Sequence, residues 1–331
     1  MINRTAYCNS TFLYELSTDN RFRLVELVHT IFSSLTLIST YWLYLRLKQR
    51  NTIFHQSTKI LLYLMLFYAN LHSLMLILSQ PNHILRSYAL DFKCEPGYST
   101  KLCLFVLIPV VTSGIGLGST QQALWVERLL ASIFLTKYEN WGGKPGIILA
   151  IVTATISTVA TLVMYLDLSR DDKVANCLQI SDNKNAIFTN FAYLLICFNL
   201  FAVLSTEILC LWNKCREKKS RFIISRRYQN FTTTKWIGII SFIQSAFLIV
   251  YSTLTYVLKT RESQFDKVTT MILWASSYTI PYYTFLLPLV LIYALKRIDE
   301  KRIKRIETLT SDKSSTMRIM NEIWERDGEI R

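Results

Sequence analysis

The chain has few of the residues that mark low-complexity or enzymatic sequences. Its 331 residues include 9 glycines and 6 prolines, too few for a collagen-like or low-complexity chain. Charged residues make up 18%, below the roughly 25% of soluble domains. The four histidines lie in separate segments without a His-Glu-x-x-His pattern, and the apolar segments hold no carboxylate cluster. We therefore expect no enzymatic activity, no bound metal and no cofactor.

What the chain does contain is long apolar runs, since 51% of its residues are hydrophobic and they occur in blocks. A membrane-spanning helix needs about 20 mostly apolar residues, and lipid leaves no alternative partner for its backbone. The sequence therefore predicts an all-α membrane protein, a seven-transmembrane helix bundle over residues 24–294. The predicted spans are 24–45, 60–78, 104–126, 147–166, 188–212, 236–258 and 270–294.

Basic residues predict the orientation of these spans. Lysine and arginine number 24 in the tail and loops on one side and 12 on the other. Because basic loops stay in the cytoplasm, the N-terminal tail 1–23 is expected outside and the tail 295–331 inside. Two glycosylation sequons, at Asn3 and Asn9, precede the first span and agree with this assignment. The charge of +14 therefore needs no nucleic-acid partner.

The cytoplasmic tail begins with a predicted basic amphipathic helix. At 100° per residue its apolar side chains share one face, and lysines and arginines cover the remainder. Such a helix is expected to lie along the lipids of the inner leaflet. The apolar face consists of Leu295, Ile298, Ile303, Ile306 and Leu309.

Four of the seven cysteines fall on the predicted outer side, where disulfides persist. They are Cys8, Cys94, Cys103 and Cys177, and four cysteines allow three pairings. We favour Cys103–Cys177, which would join the outer end of the third span to the loop before the fifth. Cys8–Cys94 would then attach the tail to the first outer loop, and unpaired thiols are the alternative.

A charged pair ends the third span at its cytoplasmic boundary. Glu127 and Arg128 lie about 35 Å along a helix from residue 104, which places them at headgroup level. Glu207, in the last turns of the fifth span, is a candidate partner of Arg128 in a resting state. An ordinary interfacial charge cluster with side chains reaching towards water is the alternative interpretation.

Polar residues within the spans are candidates for a ligand pocket, because such groups are costly in lipid unless they are paired or face a cavity. Ser113 and Gln121 lie in the third span. In the seventh span, Pro281 is expected to bend the helix and to direct Tyr282 and Tyr283 into the bundle. The alternative is that these polar residues form hydrogen bonds between helices and contact no ligand. The seventh span holds no lysine, which excludes a retinal Schiff base there.

Several blocks of the sequence resemble a known receptor family. They are 53–62 (IFHQSTKILL), 66–72 (LFYANLH), 127–132 (ERLLAS) with Tyr138-Glu139, and 226–229 (RRYQ). With these blocks the chain resembles the nematode serpentine chemoreceptors of class alpha, the Sra family of seven-transmembrane G-protein-coupled receptors.

The resemblance implies a function for the predicted bundle. It implies a receptor that detects small environmental chemicals and activates a heterotrimeric G protein, located in the plasma membrane of ciliated sensory neurons. The G protein would dock near Arg128, Arg226 and Arg227. Glu127 and Arg128 stand where rhodopsin-like receptors carry an acidic-Arg-aromatic triplet, with Leu129 in place of the aromatic residue.

A small polytopic transporter or channel is the alternative from another functional class. It predicts duplicated halves or broken helices in matching positions, and the sequence shows no such repeat. A membrane scaffold without a ligand also stays open on sequence alone.

Overall fold

The computed structural model describes residues 11–49, 54–89, 98–165, 173–174, 185–218, 224–261 and 264–300. These residues are almost entirely helical. The helices are α1 (Thr11–Thr18), α2 (Asn20–Gln49), α3 (Gln56–Ala89), α4 (Thr100–Ile133), α5 (Leu135–Asn140), α6 (Lys144–Tyr165), α7 (Asn185–Lys218), α8 (Ile224–Thr260), α9 (Lys267–Ser276) and α10 (residues 280–300). Two short strands, β1 (Tyr98–Ser99) and β2 (Lys173–Val174), complete the set.

Seven helical segments are long and apolar enough to cross a membrane, which confirms the predicted seven-transmembrane fold. Each overlaps one predicted span, and most extend beyond it because a helix continues past its apolar core into the headgroup region. The segments are Asn20–Arg46, Gln56–Tyr88, Cys103–Ile133, Lys144–Tyr165, Ile196–Lys214, Thr232–Thr260 and Lys267–Glu300.

The chain divides into two compact units, Met1–Leu289 and Val290–Arg331. In the first unit α4 is the central helix, since it packs against α3, α6, α7 and α8. The helix α3 also contacts α2 and α6, and α7 packs along α8. In the second unit residues 290–300 are helical, and the Arg297 guanidinium donates to the Tyr293 hydroxyl at 2.8 Å. Most of the predicted amphipathic tail helix, from residue 301 onwards, lies outside the described residues.

The helices bury polar residues and expose apolar ones, the inverse of a soluble protein. In α6 the buried side chains include Thr153, Ser157 and Thr161. Ser157 and Tyr68 hydroxyls lie 2.9 Å apart, and Thr112 donates to Thr161 at 3.0 Å. The opposite face of α6 exposes isoleucine, valine and leucine, as a lipid-facing surface requires. Hydrogen bonding between helices therefore holds this part of the bundle together.

The seventh span is broken where the sequence analysis predicts only a bend. The helix α9 ends at Ser276, residues 277–279 are not helical, and α10 begins at residue 280. Pro281 lies in the first turn of α10, where its missing N–H leaves no hydrogen bond unmade. In a continuous helix the proline ring would clash with the carbonyl of the residue four positions earlier, which here is Ser277. A continuous helix over 270–294 is therefore wrong, and the break sets the positions of the tyrosines that follow.

Two small elements were not predicted. The strands β1 and β2 pair antiparallel, with Tyr98 opposite Val174, and so bring the segment before α4 beside the segment before α7. The helix α1 lies in the predicted N-terminal tail and packs against α9. Its Leu16 is buried together with Phe22 and Ile272, an apolar contact that ties the tail to the bundle.

Candidate functional site

Four buried polar side chains meet where α3, α4 and α5 come together. We call Thr58, Glu127, Arg128 and Tyr138 the charge cluster. Glu127 is 0% and Arg128 2% exposed, so the ion pair between them is removed from solvent. The Thr58 hydroxyl donates to Glu127 Oε1 at 3.0 Å and accepts from Arg128 Nη2 at 2.6 Å, while the Tyr138 hydroxyl donates to the same carboxylate oxygen. The two charged groups and the two hydroxyls thus supply hydrogen-bond and ion-pair partners to one another.

Tyr138 is held in place by its surroundings on α5. Its ring packs against the imidazole of His55, with centroids 4.5 Å apart. Burial, and then the negative charge of Glu127, raise the pKa of the Tyr138 phenol. Tyr138 therefore keeps its proton and serves as a donor to the carboxylate. A buried ion pair without such donors would be poorly compensated for the loss of water.

The other predicted members of this site lie elsewhere or outside the description. Among the described residues the ion pair of Arg128 is with Glu127, whereas Glu207 is exposed on α7 beside α8. Arg226 and Arg227 lie in the first turns of α8, and their side chains are outside the described set. The structure therefore places Glu127 and Arg128 together and keeps Glu207 apart from them.

A hydrogen bond joins α4, the helix that carries Glu127 and Arg128, to α7. The Asn213 amide donates to the Ser132 hydroxyl at 2.9 Å, and Ser132 donates to the carbonyl of Arg128 at 2.8 Å. Both side chains are buried. This connection spans α4 and α7 at the end of the bundle that holds the charge cluster. Any movement of α7 away from α4 at this end must break it.

A second cluster lies nearer the opposite end of the bundle. We call His29, His72, Ser113, Tyr278 and Tyr282 the histidine–tyrosine cluster. His72 lies between the Ser113 hydroxyl, 3.1 Å from Nδ1, and the Tyr278 hydroxyl, 3.1 Å from Nε2. The His29 ring contacts both tyrosines edge-on, with centroids 6.0 Å from Tyr278 and 5.8 Å from Tyr282. Four helices and the break in the seventh span thus contribute to one site.

The histidine–tyrosine cluster combines aromatic faces with uncommitted hydrogen-bonding atoms. It contains no carboxylate, lysine or arginine. His29 Nε2 and the hydroxyl oxygen of Ser33, one turn further along α2, are buried and have no hydrogen-bond partner within the described part of the chain. A buried polar atom left unpaired is costly. The cluster therefore presents two unpaired hydrogen-bonding atoms beside aromatic rings.

The two remaining predicted pocket residues lie deeper in the bundle. Gln121 is buried, and its amide approaches the carbonyl of Ser241 on α8 at 3.4 Å. The Tyr283 hydroxyl donates to Gln244 Oε1 at 2.7 Å. Both side chains join helices to α8, between the two clusters. Of the four predicted pocket residues, the structure brings Ser113 and Tyr282 into the histidine–tyrosine cluster and gives Gln121 and Tyr283 contacts with α8.

The sequence analysis missed His29, Tyr278 and the pair Glu26–His83. Glu26 and His83 are both buried, and the carboxylate Oε2 lies 2.8 Å from His83 Nδ1. A signal for two of these residues was present, because polar residues in α2 recur at alternating spacings of three and four and therefore share one helix face. That buried row is Glu26, His29, Ser33, Thr36 and Thr40.

Other predicted site residues are only partly described. Cys103 is disulfide-bonded. Its favoured partner Cys177 lies outside the described residues, as do Cys8, Cys94 and the sequon residues Asn3 and Asn9. Within the described ranges, no group of three histidine, cysteine, aspartate or glutamate residues is placed to hold a metal ion.

Seven spanning helices with polar faces turned inward define a multi-pass membrane protein with the architecture of G-protein-coupled receptors. The family model described as "Serpentine type 7TM GPCR chemoreceptor Sra" matches residues 3–325. The chain therefore belongs to the Sra family of serpentine chemoreceptors, which confirms the resemblance found in the sequence. The similar proteins span nearly the full length of the chain.

Among these relatives is serpentine receptor class alpha-10 of Caenorhabditis elegans, 31% identical over 320 residues, covering 93% of this chain and 94% of that protein. Serpentine receptor class alpha-10 of Caenorhabditis briggsae is 29% identical over 318 residues, covering 93% and 95%. Serpentine receptor class alpha-7 of Caenorhabditis elegans is 28% identical over 305 residues, covering 89% and 90%.

Proposed function

We propose that this chain is a chemosensory receptor in which a small molecule at the histidine–tyrosine cluster alters helix packing and so controls a G protein at the other end. Membership of a chemoreceptor family supports the general class. The observation that carries the specific proposal is the placement of two buried polar clusters on the central helix α4. Ser113 and Glu127 are 14 residues apart, about 21 Å along a helix.

The ligand side of the proposal rests on the chemistry of the histidine–tyrosine cluster. Its aromatic rings favour a flat or apolar ligand body, and His29 Nε2 offers a free hydrogen-bonding position. Because the cluster holds no fixed charge, a neutral ligand fits better than an ion. A ligand that contacts Tyr278 or Tyr282 also contacts the break in the seventh span, a point where packing can change with few backbone hydrogen bonds lost.

The coupling side rests on the charge cluster. In the described packing Arg128 is buried and engaged by Glu127 and Thr58. A ligand shifts a receptor towards a second packing only by the difference in its affinity for the two. We propose that this second packing separates α7 from α4 and exposes Arg128. A G protein then docks against Arg128 and the basic segment that contains Arg226 and Arg227.

The orientation that this mechanism requires is the predicted one, with the N-terminus outside and the C-terminal tail in the cytoplasm. The basic excess supports it, and glycosylation of Asn3 and Asn9 would follow from it. We further propose that Cys103 pairs with Cys177, since Cys103 is disulfide-bonded and β1 pairs with β2 three residues before Cys177. The plasma membrane, and the sensory cilium within it, is the proposed location.

The test is ligand-driven nucleotide exchange on a panel of Gα subunits, using cells that express the full chain and a library of neutral small molecules. With a ligand identified, Tyr278→Phe should weaken its potency by removing the hydroxyl next to His72. Arg128→Gln leaves Glu127 without its ion-pair partner and should lower the surface level. Exchange is therefore measured per receptor at the surface, where it should be abolished while ligand binding is retained. Lys59→Gln, a charge change beside Thr58 in the same helix turn, is the matched control and should leave exchange intact.

Two results would contradict the proposal. Exchange by the Arg128→Gln protein at the normal level would remove Arg128 from coupling. Ion or solute flux through liposomes that contain the purified chain, without any G protein, would favour a channel or transporter instead.

A further inference from the structure

A groove runs between α7 and α8 at the end of the bundle that also holds the charge cluster. Its cavity volume is about 240 Å³. Lys214 and Lys235 line it, one from each helix. Asn213, the neighbour of Lys214, bonds to Ser132 on α4 and so fixes the depth of this groove relative to the charge cluster. Glu207 and Leu211 on α7 and Gly238 on α8 also line it.

The absence of a side chain at Gly238 shapes the groove. A Cβ atom there would lie 3.2 Å from Thr206 Cγ2 and 3.6 Å from Glu207 Oε1. The first distance is tighter than an ordinary van der Waals contact, so a larger residue would push the two helices apart. Glycine therefore lets α7 and α8 approach closely at this point of the groove.

Both lysines lie at headgroup level. Lys214 is the last residue of the span Ile196–Lys214, and Lys235 lies in the first turn of the span Thr232–Thr260. Both are exposed. In the described residues neither has a carboxylate within ion-pair distance. The Glu207 carboxylate lies deeper in the groove, beside Gly238, which is one helical turn from Lys235. The mouth of the groove thus carries two positive charges.

Apolar side chains lie in the groove and on the lipid-facing surface beside it. Leu211 lines the groove and is 62% exposed, and on the outer surface of the same helices Ile208 and Phe242 are also more than 60% exposed. A soluble anion would meet the two lysines but none of this apolar surface. A molecule that joins a negatively charged headgroup to acyl chains meets both. Lysine is a common partner of phosphate groups near a membrane surface.

We propose that the α7–α8 groove binds one anionic phospholipid, with its phosphate between Lys214 and Lys235 and an acyl chain along Ile208 and Leu211. In the proposed orientation this lipid belongs to the cytoplasmic leaflet. The binding itself depends only on the membrane-spanning fold, so it holds whether or not the proposed ligand and G protein are correct.

The experiment uses the full chain purified in a neutral detergent. Affinity for dioleoylphosphatidylserine and for dioleoylphosphatidylcholine is measured by native mass spectrometry with increasing lipid. We expect the chain to bind phosphatidylserine with higher affinity than phosphatidylcholine. The double variant Lys214→Gln/Lys235→Gln should weaken phosphatidylserine binding roughly thirtyfold, about fivefold for each lysine.

Two further variants separate the groove from general charge. Lys259→Gln/Arg261→Gln removes the same charge from exposed residues at the other end of α8 and should leave the affinity unchanged. Lys214→Arg/Lys235→Arg keeps the charge and should restore binding to within a few-fold. All variants lie at exposed positions, so folding is expected to persist and is checked by the thermal unfolding midpoint.

Three results would overturn the proposal. Equal affinity for the two lipids would show that the groove does not select an anionic headgroup. Equal loss in both double-glutamine variants would show that net charge, and not the groove, attracts the lipid. Displacement of phosphatidylserine by millimolar inorganic phosphate would show that the lysines bind a free anion without help from the acyl chains.

Discussion

Removing one partner of the buried pair Glu127–Arg128 should be far more costly than removing both. The perturbation is a set of three variants of the full chain, Glu127→Gln, Arg128→Met and the double variant. Each single variant leaves one charge at a position that is 2% exposed or less. An uncompensated buried charge typically costs about 3–5 kcal/mol of unfolding free energy.

The double variant buries no charge. Thr58 and Tyr138 make three hydrogen bonds to the pair, and the amide oxygen of a glutamine at position 127 can keep one of them. About two are lost, at about 1 kcal/mol each. We therefore expect a loss of about 2 kcal/mol, less than either single variant. Glu127→Gln should be the most harmful of the three, because a guanidinium cannot give up its proton, whereas a carboxyl left alone can become neutral by binding one.

The assay is equilibrium unfolding in mixed micelles with increasing dodecyl sulfate, followed by tryptophan fluorescence. Glu207→Gln, an exposed carboxylate on α7, makes the same chemical change and should stay within about 0.5 kcal/mol of the unmodified chain. If the double variant loses as much as the two single variants combined, the charges do not stabilise each other and the reasoning is refuted. A large effect of Glu207→Gln would instead return Glu207 to the role of Arg128's partner.

Two further predictions concern helix packing. Gly146→Ala should destabilise the bundle by about 1–3 kcal/mol, because a Cβ there would lie 2.5 Å from the carbonyl oxygen of Ser57. Gly114→Ala is the control, because the nearest atom to a Cβ at that position is 3.7 Å away. Equal thermal unfolding midpoints for the two variants would contradict this prediction. Asn213→Ala removes the bond to Ser132, worth about 1 kcal/mol, so ligand-independent nucleotide exchange should rise about fivefold. Unchanged or lower basal exchange in the Asn213→Ala protein would show that α7 does not leave α4 on activation.

The seven spans could be predicted because they depend on local composition and length. A segment of about 20 apolar residues is long enough to cross the bilayer as a helix, and this does not depend on the positions of the other helices. The buried row in α2, from Glu26 to Thr40, was equally readable from its spacing. The family resemblance likewise needed only the order of residues along the chain, and the family match over residues 3–325 confirms the family.

The partner of Arg128 shows what local patterns miss. Neighbouring residues on a helix do not face each other, and the sequence analysis named Glu207, on another span, as a candidate partner in a resting state. In the structure the long guanidinium side chain turns back to Glu127, and hydroxyls from α3 and α5 hold both groups in place. Which groups share a buried site depends on the packing of three helices, and no spacing along the chain encodes it.

In the seventh span, too, the sequence predicts one feature and the tertiary structure decides another. Pro281 by itself predicts a disturbance of the seventh helix, because a proline ring cannot continue a helix without bending or breaking it. Where the chain breaks was decided by contacts with other helices, among them the Thr279 hydroxyl donating to the carbonyl of Phe247 at 3.0 Å and Tyr278 meeting His72. Composition alone determined that this protein spans a membrane seven times. Packing between helices decided which of its polar residues meet, because hydrogen bonds act over about 3 Å and join residues that are up to 248 positions apart.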